Sequence, residues 1–354
     1  MKIIHCADLH LGSKIESKLM KISSDRKTEV RNSFSKLVDY ALKNEISVIL
    51  LSGDVFDSDK PLKKDKEFFY NVIKENPNID FIYLRGNHDS YELYNENISN
   101  LKTFENTWKC YKYGDVCISG IEISKDNYAS LYSTLNLDVN NINIVMLHGQ
   151  ISESIGIDKI KLAKLRNKNI DYLALGHVHS YQKDKLDDRG IYAYSGCLEG
   201  RGFDECGEKG FVLLDVDEEE NKITSKFIPF AGRHLYEVSV DITDTLTTLD
   251  VEEKIDNSVK DIEKEALIKI ILTGKVDINS ERDINYLEKK YKNMFYFAKI
   301  YDETILKIDY MKYENDASLK GEFIRLVLKQ DLPEEEKRKI ITTGIKALTG
   351  EEVN

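Results

Sequence analysis

The chain has 354 residues, 41% of them apolar and 32% charged, with only four prolines and no low-complexity segment, which excludes a disordered scaffold and suggests about two domains. Its longest apolar stretches are strand-sized, which excludes a transmembrane helix, and the start Met1-Lys2-Ile3-Ile4-His5-Cys6-Ala7-Asp8 is charged too soon for a signal peptide, so a cytoplasmic location is expected. The net charge of −11, from 51 basic and 62 acidic residues, argues against coating of nucleic acid by the bulk surface while leaving room for a local basic groove.

Up to residue 232 one pattern repeats: an apolar run, a polar turn with Gly or His, then often an amphipathic segment. The runs Lys2–Ala7, Ile46–Leu51, Phe81–Leu84, Ile142–Leu147, Tyr172–Leu175 and Ile191–Tyr194 read as buried strands. Helical spacing of apolar residues predicts helices over Lys27–Asn44, Lys63–Glu75 and Ile157–Arg166. Phe211–Val216 and Ile223–Phe230 read as two further strands around the acidic turn Asp217–Asn221. Strands alternating with helices predict a layered α/β fold.

After Gly232 the pattern changes. Leu235–Ile242, Leu267–Leu272 and Phe295–Ile300 read as strands, with helices over Leu246–Glu265 and Arg282–Tyr291 between them. This predicts a small α/β domain over 233–312, followed by a helical tail over 313–354. The tail holds two helices broken at Asp331-Leu332-Pro333. Pro333 and the acids Glu334-Glu335-Glu336 make a good helix start, because the missing amide is not needed there and acids favour the positive end. The five cysteines, at 6, 110, 117, 197 and 206, form no C-x-x-C pair, so they are expected to be reduced core or loop thiols.

The chemistry is concentrated where the apolar runs end. Successive runs lead into Asp8-Leu9-His10, Gly53-Asp54, Gly86-Asn87-His88-Asp89, His148-Gly149 and Gly176-His177-Val178-His179. Five of the seven histidines fall in these turns. Open α/β sheets bind ligands beyond the carboxyl ends of their strands. A lone D-x-H or G-D is commonly just a turn or a cap, but five such turns in succession are not. Two carboxylates, four imidazoles and an amide fit a two-metal site for borderline divalent ions, with manganese or iron ahead of calcium.

This ordered set resembles the calcineurin-like metallophosphoesterases. Asp8–Gly12, Gly53–Asp57 with Pro61, and Tyr194-Ser195-Gly196-Cys197-Leu198-Glu199-Gly200-Arg201 are similar to the SbcD branch of DNA-repair nucleases. The likeness covers residues 1–232. It implies a layered metallophosphoesterase sandwich, a small α/β capping domain and a helical tail. It also implies that Asp8, His10, Asp54 and His179 hold one metal, and that Asp54, Asn87, His148 and His177 hold the other, with Asp54 bridging. Such ions sit about 3.5–4 Å apart and activate a bridging water that attacks phosphorus in line. Manganese is expected first, with iron, magnesium or zinc as alternatives. His88, next to a ligand, becomes the candidate catalytic acid and Asp89 the candidate to orient it.

The resemblance implies a two-metal phosphodiesterase acting on DNA, working with an SbcC-like coiled-coil ATPase, with a homodimer as a further candidate assembly and no membrane partner. Protein phosphatases of the superfamily carry arginine where this chain has Asp57-Ser58 and Asp89-Ser90, which disfavours a phosphoprotein substrate. The acidic charge favours one rival, a small-nucleotide phosphodiesterase or phosphatase. The other rival, a non-catalytic regulatory subunit of an ATPase, is disfavoured by the complete ligand set. The basic segment Lys14–Arg31, with Lys14, Lys18, Lys21, Arg26, Lys27 and Arg31, is a candidate track for a phosphate backbone. Arg201 is a second candidate phosphate contact, with an ion pair as its alternative.

Overall fold

The computed structural model describes residues 1–13, 22–89, 98–277, 280–307 and 316–349. The chain divides into two compact units, Met1–Leu235 and Tyr236–Asn354. No helix among the described residues is long and apolar enough to cross a membrane.

The first unit contains, in chain order, β1 (Lys2–Cys6), α1 (Ser23–Lys43), β2 (Val48–Ser52), α2 (Lys63–Lys74), β3 (Asp80–Leu84), β4 (Leu101–Thr103), β5 (Lys109–Tyr113), β6 (Val116–Gly120), β7 (Ile142–His148), β8 (Gln150–Ile151), β9 (Lys159–Ile160), β10 (Tyr172–Gly176), β11 (Gln182–Lys185), β12 (Ile191–Tyr194), β13 (Gly210–Asp217) and β14 (Lys222–Pro229). They form two six-stranded sheets, ordered β14-β13-β1-β2-β3-β4 and β11-β12-β10-β7-β6-β5. β1, β2 and β3 run parallel, with Ile4 beside Ile49 and Ile49 beside Phe81. In the other sheet β6, β7, β10 and β12 run parallel.

Side-chain alternation stacks the layers. Ile4, Cys6, Ile49, Leu51, Phe81 and Tyr83 face α1 and α2, burying Phe34, Leu37 and Phe69. Their neighbours Ile3, Val48, Leu50, Ile82 and Leu84 turn the other way, onto Ile144, Met146, Tyr172 and Ala174 of the second sheet. The outer face of that sheet, with Val145, Leu147, Leu173 and Leu175, is covered by Leu131, Leu135, Ile160 and Leu165. Strands buried on both faces read as unbroken apolar runs, which is why the sequence marks them so clearly.

Three features differ from the sequence reading. The helix expected over Ile157–Arg166 is absent: β9 pairs with β8, placing Ile160 beside Ile151, and one tight turn follows at Leu162–Lys164. Ile160 and Leu165 are buried while Ile157 is exposed, so the helical spacing reflects two separate core anchors. The antiparallel hairpin β5–β6, turning at Gly114, was not anticipated. Across it Cys110 and Cys117 form a disulfide rather than remaining thiols, because the register brings their Cα atoms to 6.1 Å. Cys6, Cys197 and Cys206 are free.

The second unit holds β15 (Leu235–Asp241), α3 (Thr248–Val259), β16 (Leu267–Thr273), β17 (Lys275–Asp277), α4 (Ile284–Met294), β18 (Phe297–Asp302), β19 (Ile305–Lys307), α5 (Leu319–Leu328) and α6 (Glu334–Thr349). A three-stranded sheet, β15-β16-β18, packs against α3 and α4 through Val251, Ile255, Leu287 and Tyr291. A capping box between Thr247 and Asp250 sets the start of α3. α5 and α6 pack on each other through Ile324, Val327, Ile341 and Ile345, with Leu306 of β19 alongside.

Candidate metal centre

Five strand ends of the first unit converge. β1 leads to Asp8 and His10, β2 to Asp54, and β3 to Asn87, while β7 ends on His148 and β10 leads to His177 and His179. Asp8, His10, Asp54 and His177 have φ of 53°, 46°, 50° and 103°, so the chain turns sharply to aim each side chain. At Gly53, with φ +96°, a Cβ would stand 2.2 Å from His148 Nδ1. At Gly86 it would stand 2.1 Å from Asp54 Oδ1, so only glycine lets the loops close this tightly.

All seven expected donors come together, in two groups. Asp8, His10 and His179 form one, and Asp54, His148 and His177 the other, with ligand atoms within 4.8 Å of one another in each. In the first, His10 Nε2 lies 3.1 Å from His179 Nε2 and 3.9 Å from Asp54 Oδ2. In the second, His148 Nε2 lies 3.3 Å from Asp54 Oδ2 and 3.1 Å from Asn87 Oδ1, which is 3.3 Å from His177 Nδ1. Asp54 Oδ2 is common to both. Two atoms bound at right angles to one ion, about 2.1 Å from it, are about 3 Å apart. The spacing and the imidazole–carboxylate chemistry therefore fit two divalent cations.

Polar groups stand behind three of the rings and orient them. His148 Nδ1 donates to the Ser52 carbonyl at 2.9 Å, which turns Nε2 toward Asp54 Oδ2 and Asn87 Oδ1. His179 Nδ1 lies 2.6 Å from Glu205 Oε1, and His10 Nδ1 lies 3.2 Å from Asp57 Oδ1. Burial works to raise the Asp54 carboxyl, yet the hydrogen bond and charge of His148 win and hold it well below the usual range. Burial lowers His148, but Asp54 outweighs it and pushes the imidazole up to about 9. Burial pushes Asp8 up to about 6.

His88 stands at the rim, exposed, with its ring 5.4 Å from that of His10. Its Nδ1 donates to the Asp57 carbonyl at 3.1 Å, which leaves Nε2 outside that bond. Asp89 does not fill the expected role of orienting His88. Its buried carboxylate accepts the amides of Phe56 at 2.9 Å, Gly86 at 3.0 Å and Val55 at 3.3 Å, tying the second and third donor turns together. Burial, with the charge of Asp54 next, pushes it up to about 6.

Two cations of the basic segment, Arg26 and Arg31, are spent on internal contacts. Lys14, Lys18 and Lys21 lie outside the described residues. Arg26 is fully buried, paired with Glu29 and Glu199 and donating to the Gly200 carbonyl, and Arg31 pairs with Asp65. Arg201 is likewise an ion-pair residue, bound to Asp57 and Glu205. Glu205 and Asp57 are the groups the sequence reading missed. A cavity of about 350 Å³ opens beside the second donor group, walled by Leu84, Ile121, Ile123 and Ile157 and reaching Asn87 and His148.

A two-sheet sandwich with paired donor groups at its strand ends defines a metallophosphoesterase. The family model for calcineurin-like phosphoesterases matches residues 1–181, and the chain belongs to that family. It is accordingly a metal-dependent phosphodiesterase that uses two divalent ions. Among known proteins, it is similar to the DNA double-strand break repair protein Mre11 of Saccharolobus solfataricus, 25% identical over 386 residues covering 100% of this chain and 96% of the other. The protein of the same name from Sulfurisphaera tokodaii is 27% identical over 341 residues, covering 87% and 84%. A dimetal phosphatase structure from Danio rerio aligns over 60% of this chain and 92% of its own, with 10% identity and a TM-score of 0.41.

Proposed function

We propose that this chain hydrolyses phosphodiester bonds of DNA as a manganese-dependent repair nuclease in the cytoplasm. The observation that carries the reading is the convergence of Asp8, His10, Asn87, His148, His177 and His179 around the shared carboxylate of Asp54. The names of the relatives, DNA double-strand break repair proteins, direct it to DNA.

Asp8, His10, Asp54 and His179 hold one ion, and Asp54, Asn87, His148 and His177 the other. Two such ions supply a nucleophilic water at neutral pH and offset charge developing on the phosphoryl oxygens. His88, its Nδ1–H donating to the Asp57 carbonyl, would act as the imidazolium, passing its Nε2 proton to the leaving oxygen and becoming the neutral ring. Asp89 acts indirectly, by bracing the turn that carries Asn87 and His88. The test is cleavage of end-labelled DNA with manganese or magnesium, by the wild type and by His88→Ala. Absence of metal-dependent cleavage overturns the reading.

A small-nucleotide phosphodiesterase is the second reading. It is favoured by the internal pairing of Arg26 and Arg31, which removes two cations from a DNA track, and by the cavity beside Asn87. Competition separates the two: at low salt, duplex or single-stranded DNA should inhibit hydrolysis of a small chromogenic diester only if DNA is the substrate.

The tail, residues 313–354, serves as a docking segment for a coiled-coil ATPase of the SbcC type. α5 and α6 bury one face against each other and leave Leu319, Leu326, Ile340 and Leu348 exposed. Apolar side chains gathered on a short helix pair suit a partner helix.

A further inference from the structure

The two donor groups are supported in different ways. Behind the imidazoles of the first stand two carboxylates: Glu205 Oε1, 2.6 Å from His179 Nδ1, and Asp57 Oδ1, 3.2 Å from His10 Nδ1. Arg201 clamps both. Its Nη1 donates to Asp57 Oδ1 at 2.9 Å, its Nη2 and Nε to Glu205 Oε1 at 2.5 Å and 3.0 Å, and its backbone amide to Glu205 Oε2 at 2.8 Å. Glu205 is buried, so its charge acts through little solvent.

The second group has neutral supports. His148 Nδ1 meets the Ser52 carbonyl, and His177 offers Nδ1 itself toward the neutral Asn87 amide. Asn87 is exposed and His177 half-buried. Apart from Asp8 and Asp54, the carboxylate near His177 is Asp158, which lies in solvent and is screened. Asp8 and Asp54 face both groups, Asp8 accepting the His177 amide at 3.0 Å. Asp57 and Glu205, held by one guanidinium, stand behind the first group only, and the second has the Ser52 carbonyl in that place.

We propose that Asp57, Glu205 and Arg201 are positioning residues that make the Asp8–His10–His179 group the tighter of two unequal metal sites. Ions then enter in order, and the Asn87–His148–His177 site is the exchangeable one. The inference rests on reading both groups as metal sites. A carboxylate behind a ligating imidazole fixes the ring, holds the tautomer and strengthens the free nitrogen, and its loss costs about 10–100-fold in metal affinity. Arg201 keeps the two carboxylates pointed at their rings.

The test is manganese titration of the metal-stripped full chain by calorimetry, with free manganese counted by electron paramagnetic resonance. Wild type should bind in two phases. Glu205→Gln and Asp57→Asn should each weaken the tighter phase by about 10–100-fold while moving the weaker one less than about threefold. Asn87→Ala should abolish the weaker phase alone. Melting temperatures of the metal-free variants, unchanged within a few degrees, separate positioning from folding. If Glu205 proves necessary for folding, the more exposed Asp57 carries the test. The proposal falls if both variants leave the tighter phase intact, if they weaken both phases equally, or if Asn87→Ala removes the tighter one. Two bound ions with either of those patterns overturn only the inequality, whereas no manganese binding at all overturns the metal reading beneath it.

Discussion

At the scale of single residues, one oxygen atom decides most of the chemistry. Asp54 Oδ2 lies 3.3 Å from His148 Nε2 and 3.9 Å from His10 Nε2, so it belongs to both donor groups. Asp54→Asn should therefore cost occupancy of both ions and abolish turnover, with metal content read by elemental analysis. Retention of two ions per chain with near-normal turnover would refute the bridging role. His88 should behave in the opposite way. Its contacts are the Asp57 carbonyl and the edge of the His10 ring, so His88→Ala or His88→Gln should leave metal content intact. Turnover should fall by about 100-fold or more, the usual scale for a lost general acid. Loss of metal together with activity would make His88 a ligand.

At the scale of elements, the turns matter more than the strands that feed them. Gly86→Ala would drive a Cβ into Asp54, with its backbone nitrogen 2.5 Å away as well as the carboxylate. The β2 and β3 turns would have to separate, breaking the ties from Asp89 to Phe56 and Val55. Overpacking of this kind costs about 1–3 kcal/mol. The variant should melt lower than wild type and bind fewer ions, as a melting curve with and without manganese would report. For the tail, deletion of Ser318–Asn354 should leave a soluble enzyme that still cleaves a small diester but no longer co-purifies with the proposed ATPase partner. An insoluble product would mean that α5 and α6 are needed by the β19 region they touch through Leu306.

The donors were legible because each sits where an apolar run stops, and a strand buried on both faces makes that stop easy to see. The hairpin Lys109–Gly120 was harder, since half its residues face solvent and its apolar pattern alternates around Gly114-Asp115. The helix read into Ile157–Arg166 failed because Ile160 pairs with Ile151 of the preceding strand, a pairing that helical spacing does not record. The supports were hidden for the same reason. Glu205 follows His179 by 26 positions, and nothing in the intervening sequence says that the chain folds back to 2.6 Å. Glu199 and Arg201, next to each other but one, go to different tasks: Glu199 accepts from Arg26, Ser33 and the Gly232 amide, and Arg201 serves the metal side.

At the scale of the whole molecule, two sheets and a helical layer form a rigid floor, and the site is an expense carried by it. Four donor residues sit at positive φ, where non-glycine residues are strained by about 1 kcal/mol or more. Burial lifts the Asp8 carboxyl to about 6, above its unfolded value near 3.9. A carboxyl raised on folding costs stability once it must ionise. In the metal-free protein, stability should fall as pH rises from about 4 through about 6 and stay lower above that, by on the order of 2–3 kcal/mol. Asp8→Asn should then raise the metal-free melting temperature at pH 7.5, and saturating manganese should reverse the order by stabilising the wild type more than the variant, which keeps only the second group of donors. A metal-free variant that melts below wild type would contradict this.

The left-handed turns at Asp8, His10, Asp54 and His177 also shape how the chain would evolve. Screened for heat resistance alone, without metal, it would be free to exchange strained donors for glycine or asparagine and so become sturdier and inert. Binding a cation would offset the strain of those four residues.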